Sequence, residues 1–125
     1  MKFSIEKKER FTVFSLQEDN LNTTMAPHLK SEFVILKNEG VKNLILDMSH
    51  VKFVDSSGLS AILTAYRLWE GHGSFVLTQI DHQNVEKLIS ISRLDTVFTI
   101  IPTLQEAIDY VLMEEIEREL GAEDE

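Results

Sequence analysis

The hydrophobic residues near the start of the chain follow two different periods. Residues 3–8 and 11–16 alternate apolar and polar side chains, and charged residues separate them. This alternation is typical of strands and predicts a hairpin. Helical spacing follows, ending near Gly40. Its apolar residues are Leu29, Phe33 and Leu36, with Pro27 in the first turn and Asn22, Thr23 and Thr24 as candidate caps.

Strand and helix patterns alternate along the rest of the chain. Apolar runs at residues 41–48, 74–80 and 97–100 predict the third, fourth and fifth strands. Two helices are predicted between them, one from Ser56 to about Trp69 and one capped by Asp81, whose apolar residues are Val85, Leu88, Ile89 and Ile91. A capping box, Thr103 to Glu106, opens the last helix. Its apolar residues are Leu104, Ala107, Ile108, Val111, Leu112, Ile116 and Leu120.

This order of elements predicts an α/β single domain. Strands that alternate with helices pair in parallel through right-handed crossovers. We therefore expect a mixed, mostly parallel five-stranded sheet, with the first strand antiparallel at its edge and about four helices packed on one side. The domain should span residues 1–112. Residues 113–125 form the acidic end of the last helix and a tail, which we expect to fray into solvent.

Composition narrows the class of function. The 125 residues suit one domain, and 43% hydrophobic with 26% charged residues is ordinary for a soluble protein. Without cysteine, disulfides and thiolate chemistry are excluded. The formal charge of −9 repels nucleic acid and anionic lipid, so any control of transcription acts through a protein. A charged start and the lack of an apolar stretch of about 18 residues lead us to expect a cytoplasmic protein, not a membrane protein.

The turn Asp55-Ser56-Ser57-Gly58-Leu59 is the most informative segment. It joins an apolar strand to a helix start, where Asp and Ser side chains accept hydrogen bonds from the free N–H groups of the first turn. Capping alone would explain these residues. Alternatively the turn is a switch, because a phosphoryl group on Ser56 or Ser57 adds about −1.5 to −2 charges at the positive end of a helix.

The surrounding residues favour the switch. The segment from Asn43 to Leu63 closely resembles the core signature of STAS domains, the anti-sigma-factor antagonists of bacterial partner-switching systems. The resemblance is strongest over residues 41–80 and extends loosely over 3–112. It implies a STAS-type fold and a protein that is not an enzyme and has no cofactor. It also implies phosphorylation of Ser56, with Ser57 as the fallback.

The resemblance further implies the partners. They would be an anti-sigma-factor serine kinase, bound when the chain is unphosphorylated, and a phosphatase similar to the PP2C family. We expect a monomer when the chain is free. The family often carries a Gly-Glu-Leu-Asp-like stretch before the first helix; here Asn22 takes the place of its aspartate. The expected partner-binding residues are Asn22, Thr23, Asp55, Ser56, Ser57, Gly58, Ser60, Ala61, Thr64 and Leu68.

Helical geometry divides the helix after the turn into two predicted faces. At 100° per residue one face is the predicted core side, comprising Leu59, Ile62, Leu63 and Tyr66. The other face carries small and hydroxylated side chains, and the resemblance implies that it is the docking side, comprising Ser57, Ser60, Ala61, Thr64 and Leu68. A plain solvent-exposed face is the competing interpretation.

Two other functions remain open at this stage. Some STAS domains are accessory subunits of membrane transporters, so a transporter complex is the main alternative. A serine hydrolase would need one of four histidines, His28, His50, His72 or His82, as base for Ser56 or Ser57. The Gly-x-Ser-x-Gly motif of such enzymes is absent, as are a zinc-binding spacing and a phosphate loop. We therefore predict no catalytic residues and no metal site.

Overall fold

The computed structural model describes residues 1–123, and its side chains through Gly121. The predicted acidic tail reaches residues 124 and 125, which lie outside this part of the chain. The elements in chain order are β1 (Phe3–Lys7), β2 (Thr12–Leu16), β3 (Asn20–Leu21), α1 (Ala26–Asn38), β4 (Asn43–Asp47), β5 (Phe53–Val54), α2 (Ser56–Trp69), β6 (Ser74–Thr78), α3 (Gln83–Ile91), β7 (Thr99–Ile101) and α4 (Leu104–Glu123).

The central sheet has five strands in the order β1-β2-β4-β6-β7. β1 is antiparallel to β2 at one edge, and the remaining neighbours are parallel. The predicted mixed, mostly parallel sheet with an antiparallel edge strand is confirmed. Because β2, β4, β6 and β7 run the same way, the loops that follow them emerge at one end of the sheet.

Helices cover both faces of the sheet, so the prediction of helices on one side is wrong. Leu44 and Leu46 of β4 belong to the larger core, which includes residues of α1, α2 and α3. Ile45 points the other way and belongs to a second cluster with Ala107 and Val111 of α4. All five residues of β4 are buried, as expected for a parallel strand covered on both faces. The apolar run Leu44-Ile45-Leu46 inside β4 is consistent with burial on both faces.

Polar contacts fix the far end of α4 to the start of the sheet. The Arg118 guanidinium donates to Asn43 Oδ1 at 2.8 Å and to Ser74 Oγ at 3.1 Å. Asn43 is 1% exposed, and its amide nitrogen donates to the backbone oxygen of Arg10 at 2.8 Å. Asn43 and Ser74 begin β4 and β6, so α4 runs back across the sheet and ends where these strands begin. We call this end of the sheet and the opposite end, where the parallel strands finish, the two poles of the domain.

Three local predictions need correction. His82, not Asp81, caps α3, and its Nδ1 accepts a hydrogen bond from the Asn84 N–H at 3.3 Å. The fifth strand covers Thr99–Ile101, because the residues before it form a turn that follows a 3-10 helix at Leu94–Thr96. The pair of short strands β3 and β5 was not predicted at all.

Among the helices of residues 1–123, none has the length and apolar character needed to cross a membrane.

The second helical layer makes Ile45 a core residue. We expect Ile45→Ala to lower the free energy of unfolding by about 2–5 kcal/mol, because it opens a cavity between β4 and α4. The matched control is Ile35→Ala, on the exposed face of α1 at 49% exposure, which should change stability by less than about 0.5 kcal/mol. Urea denaturation measures both. Equal, small effects would mean that α4 does not cover this face of the sheet.

Candidate functional site

Two loops meet at the end of the sheet where the parallel strands finish. One follows β2 and contains β3, and the other follows β4 and contains β5. The two-residue strands pair in parallel, Asn20 with Phe53 and Leu21 with Val54. The Asp19 carbonyl also accepts from the backbone N–H groups of Lys52 and Phe53, at 2.8 and 3.1 Å. This pairing places the loop of residues 19–25 directly beside the start of α2.

The carboxylate of Asp55 joins this loop to α2. Its Oδ1 accepts from the Gly58 N–H at 2.8 Å, which caps the helix. Its Oδ2 accepts from the Thr23 N–H at 3.0 Å and from the Thr23 hydroxyl at 3.1 Å. The Asp55 N–H in turn donates to the Leu21 carbonyl at 3.1 Å. One side chain therefore both begins the helix and holds the neighbouring loop.

These contacts change the acidity of Asp55. N–H donors stabilise the ionised form, and the Gly58 N–H is the strongest cause that lowers the pKa of Asp55 below its ordinary 3.8. The Thr23 N–H and hydroxyl and the Ser57 N–H lower the pKa further, and partial desolvation opposes them. Asp55 is therefore ionised throughout the physiological range, and the turn is negatively charged before any modification.

Gly58 allows α2 to approach the neighbouring loop. A Cβ atom added at this position would lie 2.4 Å from the Leu21 carbonyl oxygen, closer than real contacts allow. Gly58 is buried and permits close packing, and its part in partner binding stays a prediction. Helix α2 and the loop of residues 19–25 meet here only because this position has no side chain.

The three serines of α2 differ in exposure and contacts. Ser56 is exposed, and its hydroxyl forms no hydrogen bond within the described residues. Ser57 is half-buried, and its Oγ lies 3.1 Å from the Thr23 hydroxyl oxygen, within hydrogen-bond distance. Ser60 is exposed one turn further on, where its carbonyl accepts from the Thr64 hydroxyl at 3.0 Å. Of the two serines in the turn, Ser56 is thus the freer one.

The outer face of α2 differs in part from the predicted one. Ala61 is 0% exposed, so its assignment to the docking side is wrong, and Leu68 is only half-exposed against the core. Leu63, assigned to the core, is only half-buried. The reason is that α2 packs against both the sheet and α1, so its buried face is wider and rotated from the one that a single apolar stripe predicts.

Two exposed residues, one beside the turn and one further along α2, were not predicted as site residues. Phe53 is 53% exposed and lies against the His82 ring, with 5.7 Å between ring centroids. Arg67 is exposed on α2, about three helical turns after Ser56. A large apolar side chain exposed in β5, next to an otherwise polar turn, is the signal that could have singled out Phe53, but only once β5 itself is known.

Asn22 acts within its own loop. Its Oδ1 accepts from the N–H groups of Thr24 and Met25, at 3.0 and 3.3 Å. It therefore caps the turn before α1, whose N-cap residue Met25 provides no side-chain cap of its own. Thr23 is exposed, with its hydroxyl between Asp55 and Ser57. Asn22 and Thr23 thus lie in the loop that borders the turn.

Three of the four histidines are engaged elsewhere, and His72 lies in the turn after α2. His28 lies 3.6 Å from Glu32, the His50 ring is 3.5 Å from the Ser49 hydroxyl, and His82 caps α3. Within residues 1–123 no histidine forms a hydrogen bond with Ser56 or Ser57, so a serine-histidine pair for hydrolysis is not assembled. The same residues contain no group of three or more side chains suited to hold a metal ion.

The tight approach at Gly58 gives a direct test of the loop pairing. We expect Gly58→Ala to destabilise the fold by about 1–3 kcal/mol, because the new methyl group must displace the Leu21 backbone. The control is Gly121→Ala in α4, where a Cβ meets nothing within 4 Å and should stabilise the helix by about 0.5–1 kcal/mol. Thermal denaturation measures both. A stabilising Gly58→Ala would mean that the loop and helix are not in contact.

The Asp55 carboxylate makes stability depend on pH. Because its pKa is lowered in the folded state, its contribution is complete above the ordinary value of 3.8 and is lost as pH falls through the lower folded value. Asp55→Asn should lower stability at neutral pH, because the charged acceptor is lost, and the difference from wild type should shrink at about pH 2, where the carboxylate loses its charge. Urea titrations at both pH values measure it, with Asp81→Asn as the control at an exposed, non-capping position. A difference independent of pH would contradict this account.

The chain resembles proteins of known type. Residues 2–107 match the STAS domain model. A relative from Thermotoga neapolitana that bears the name of an anti-sigma factor antagonist is 30% identical over 74 residues, covering 59% of this chain and 66% of the relative. A crystal structure under the same name from Thermotoga maritima has 27% identity and a TM-score of 0.76, covering 87% of this chain and 93% of that one.

A third similar structure is that of a phosphorylated protein. The structure of the Bacillus cell fate determinant SpoIIAA in the phosphorylated form is similar, with a TM-score of 0.69 and 24% identity over 88% of this chain and 99% of that one. At that identity the likeness establishes the fold. The family model spans most of the chain, and the turn Asp55–Gly58 lies inside the matched residues. The chain therefore belongs to the STAS domain family.

Proposed function

We propose that this chain is an anti-sigma-factor antagonist in a partner-switching pathway. Unphosphorylated, it binds an anti-sigma-factor serine kinase, which then releases its sigma factor. The kinase transfers the γ-phosphoryl group of ATP to the Ser56 hydroxyl, leaving ADP, and the modified chain dissociates. A phosphatase similar to the PP2C family hydrolyses the phosphoserine and returns the chain to the binding state. The chain is substrate and ligand in this cycle.

The observation that carries the proposal is an exposed Ser56 hydroxyl at the first position of a helix, with no hydrogen bond to any residue that the structure describes. The first turn of α2 holds no acidic side chain, so a phosphoryl group there meets the positive end of the helix. Asp55 lies next to it, but both of its oxygens already accept hydrogen bonds from Gly58 and Thr23. The fold itself therefore tolerates the modification.

The same geometry favours Ser56 over Ser57. Phosphorylation of Ser57 would displace the contact between its Oγ and the Thr23 hydroxyl, which lies within the pairing of the two loops. Phosphorylation of Ser56 breaks no hydrogen bond in the described structure. Phosphorylated SpoIIAA, which shares this fold, shows that a protein with this architecture is compatible with phosphorylation.

We expect the docking surface to surround Ser56. It consists of Thr23, Asp55, Ser56, Ser60, Thr64 and the exposed Phe53. Hydroxyl groups and one aromatic ring provide close contact with a partner, with Phe53 as the apolar anchor. Adding about −1.5 to −2 charges at Ser56 alters the centre of this surface while leaving its backbone unchanged. The switch therefore acts on partner affinity and not on folding.

Kinase assays test both the site and its effect. With the cognate kinase and ATP, the wild type should gain one phosphoryl group on Ser56, Ser57→Ala should still gain it, and Ser56→Ala should not. Ser56→Asp should weaken kinase binding by roughly tenfold or more in calorimetry, because an added carboxylate repels acidic partner groups and fills contact space. Its effect on stability should stay within about 1 kcal/mol.

The matched control is Ser31→Asp, at an exposed serine on α1, which should bind the kinase as the wild type does. Phosphate mapped to Ser57 would move the modification by one residue. Equal affinity of wild type, Ser56→Asp and the phosphorylated chain would show that charge at this position does not control the partner. If no cognate kinase phosphorylated the chain, the proposed covalent switch would be ruled out and only a binding function would be left.

A further inference from the structure

The last turns of α4 carry three apolar side chains that nothing in the described residues covers. Met113 is 58% exposed, Ile116 42% and Leu120 55%. Their spacings of three and four residues are those of successive a, d and a positions in a heptad. We call these residues the α4 stripe. They lie beyond residue 107, where the match to the family model ends.

The α4 stripe points away from the sheet. At 100° per residue its three members lie within roughly 60° of one another, on the side opposite Ala107, Val111 and Arg118. Ala107 and Val111 are 0% exposed against the sheet, and Arg118 is bound to Asn43 and Ser74. These contacts fix the rotation of the helix, so the stripe cannot turn inward to bury itself.

The flanks of the stripe are acidic. Glu117 and Glu119 occupy the e and g positions next to it, and both are exposed. In coiled coils the e and g side chains set the choice of partner through interhelical ion pairs. In an antiparallel pair of two copies, each of these glutamates would face its own counterpart, and the net charge of −9 also opposes self-association.

We propose that the α4 stripe docks a basic amphipathic helix of a partner protein. The partner presents apolar residues to Met113, Ile116 and Leu120, and lysine or arginine to Glu117 and Glu119. The inference rests on α4 and goes beyond the function proposed above. The stripe lies at the pole where β4 and β6 begin, whereas Ser56 lies at the pole where they end. A partner held here stays attached whether or not Ser56 is modified.

A designed peptide tests the surface directly. The probe is a fluorescent helical peptide of about three heptads with isoleucine at a, leucine at d and lysine at e and g. The control peptide has glutamate at e and g. We expect the full chain to bind the lysine peptide in fluorescence anisotropy and not the glutamate peptide, with affinity falling as salt rises.

Variants of the chain distinguish binding at the α4 stripe from non-specific hydrophobic binding. Ile116→Ser combined with Leu120→Ser should weaken binding by roughly tenfold or more, since central apolar anchors dominate binding energy. Ile91→Ser, at an apolar residue 69% exposed on α3, is the matched control and should bind as the wild type does. Glu117→Lys combined with Glu119→Lys should reverse the preference towards the glutamate peptide. Circular dichroism checks that each variant is folded.

Other outcomes overturn the proposal. Absence of binding, equal binding of both peptides, or unchanged binding by the double serine variant would each show that the stripe is no basic-helix site. Self-association of the wild type in sedimentation velocity, lost in the double serine variant, would assign the stripe to a second copy instead. Ser56→Asp should leave peptide binding unchanged, so this test and the kinase test fail independently.

Discussion

The carboxylate of Asp55 is the interaction on which the functional end of this domain depends. Its Oδ1 caps α2 through Gly58, and its Oδ2 binds both the N–H and the hydroxyl of Thr23. A charged acceptor makes hydrogen bonds roughly twice as strong as a neutral one. Because the same side chain begins the helix and holds the loop, the position of Ser56 and the conformation of the Thr23 loop are coupled.

For the switch proposed at Ser56, this coupling means that an added charge meets a turn that is already held in place. The scaffold beneath it is a parallel sheet buried on both faces, in which Leu44 and Leu46 face one helical layer and Ile45 faces the other. Ser56 lies on top of this scaffold and takes no part in the Asp55 contacts through its hydroxyl. Its chemistry can therefore change while the groups that position it remain in place.

The domain has two chemically different poles. The strand ends carry hydroxyl groups, Asp55 and the exposed ring of Phe53, which suit recognition that responds to charge. The strand starts carry a polar network of Asn43, Ser74 and Arg118, which fixes the end of α4 and directs its apolar stripe outward. Under the two proposals, separate surfaces at opposite ends of one sheet would let one contact be regulated while the other persists.

The sequence alone determined the order of elements, the mixed sheet and the turn that carries Ser56. Apolar runs and helical spacing are local properties, and the serine turn is contiguous in the chain. It also contained, in the apolar run Leu44-Ile45-Leu46 of β4, a pattern consistent with cover on both faces.

Periodicity could not show that α1 covers part of α2, which buries Ala61 and leaves Leu63 half-exposed. Nor could it show the pairing of Asn20–Leu21 with Phe53–Val54, because two residues carry no period. Tertiary structure alone decided these points, since each depends on contacts between segments that are distant in the chain.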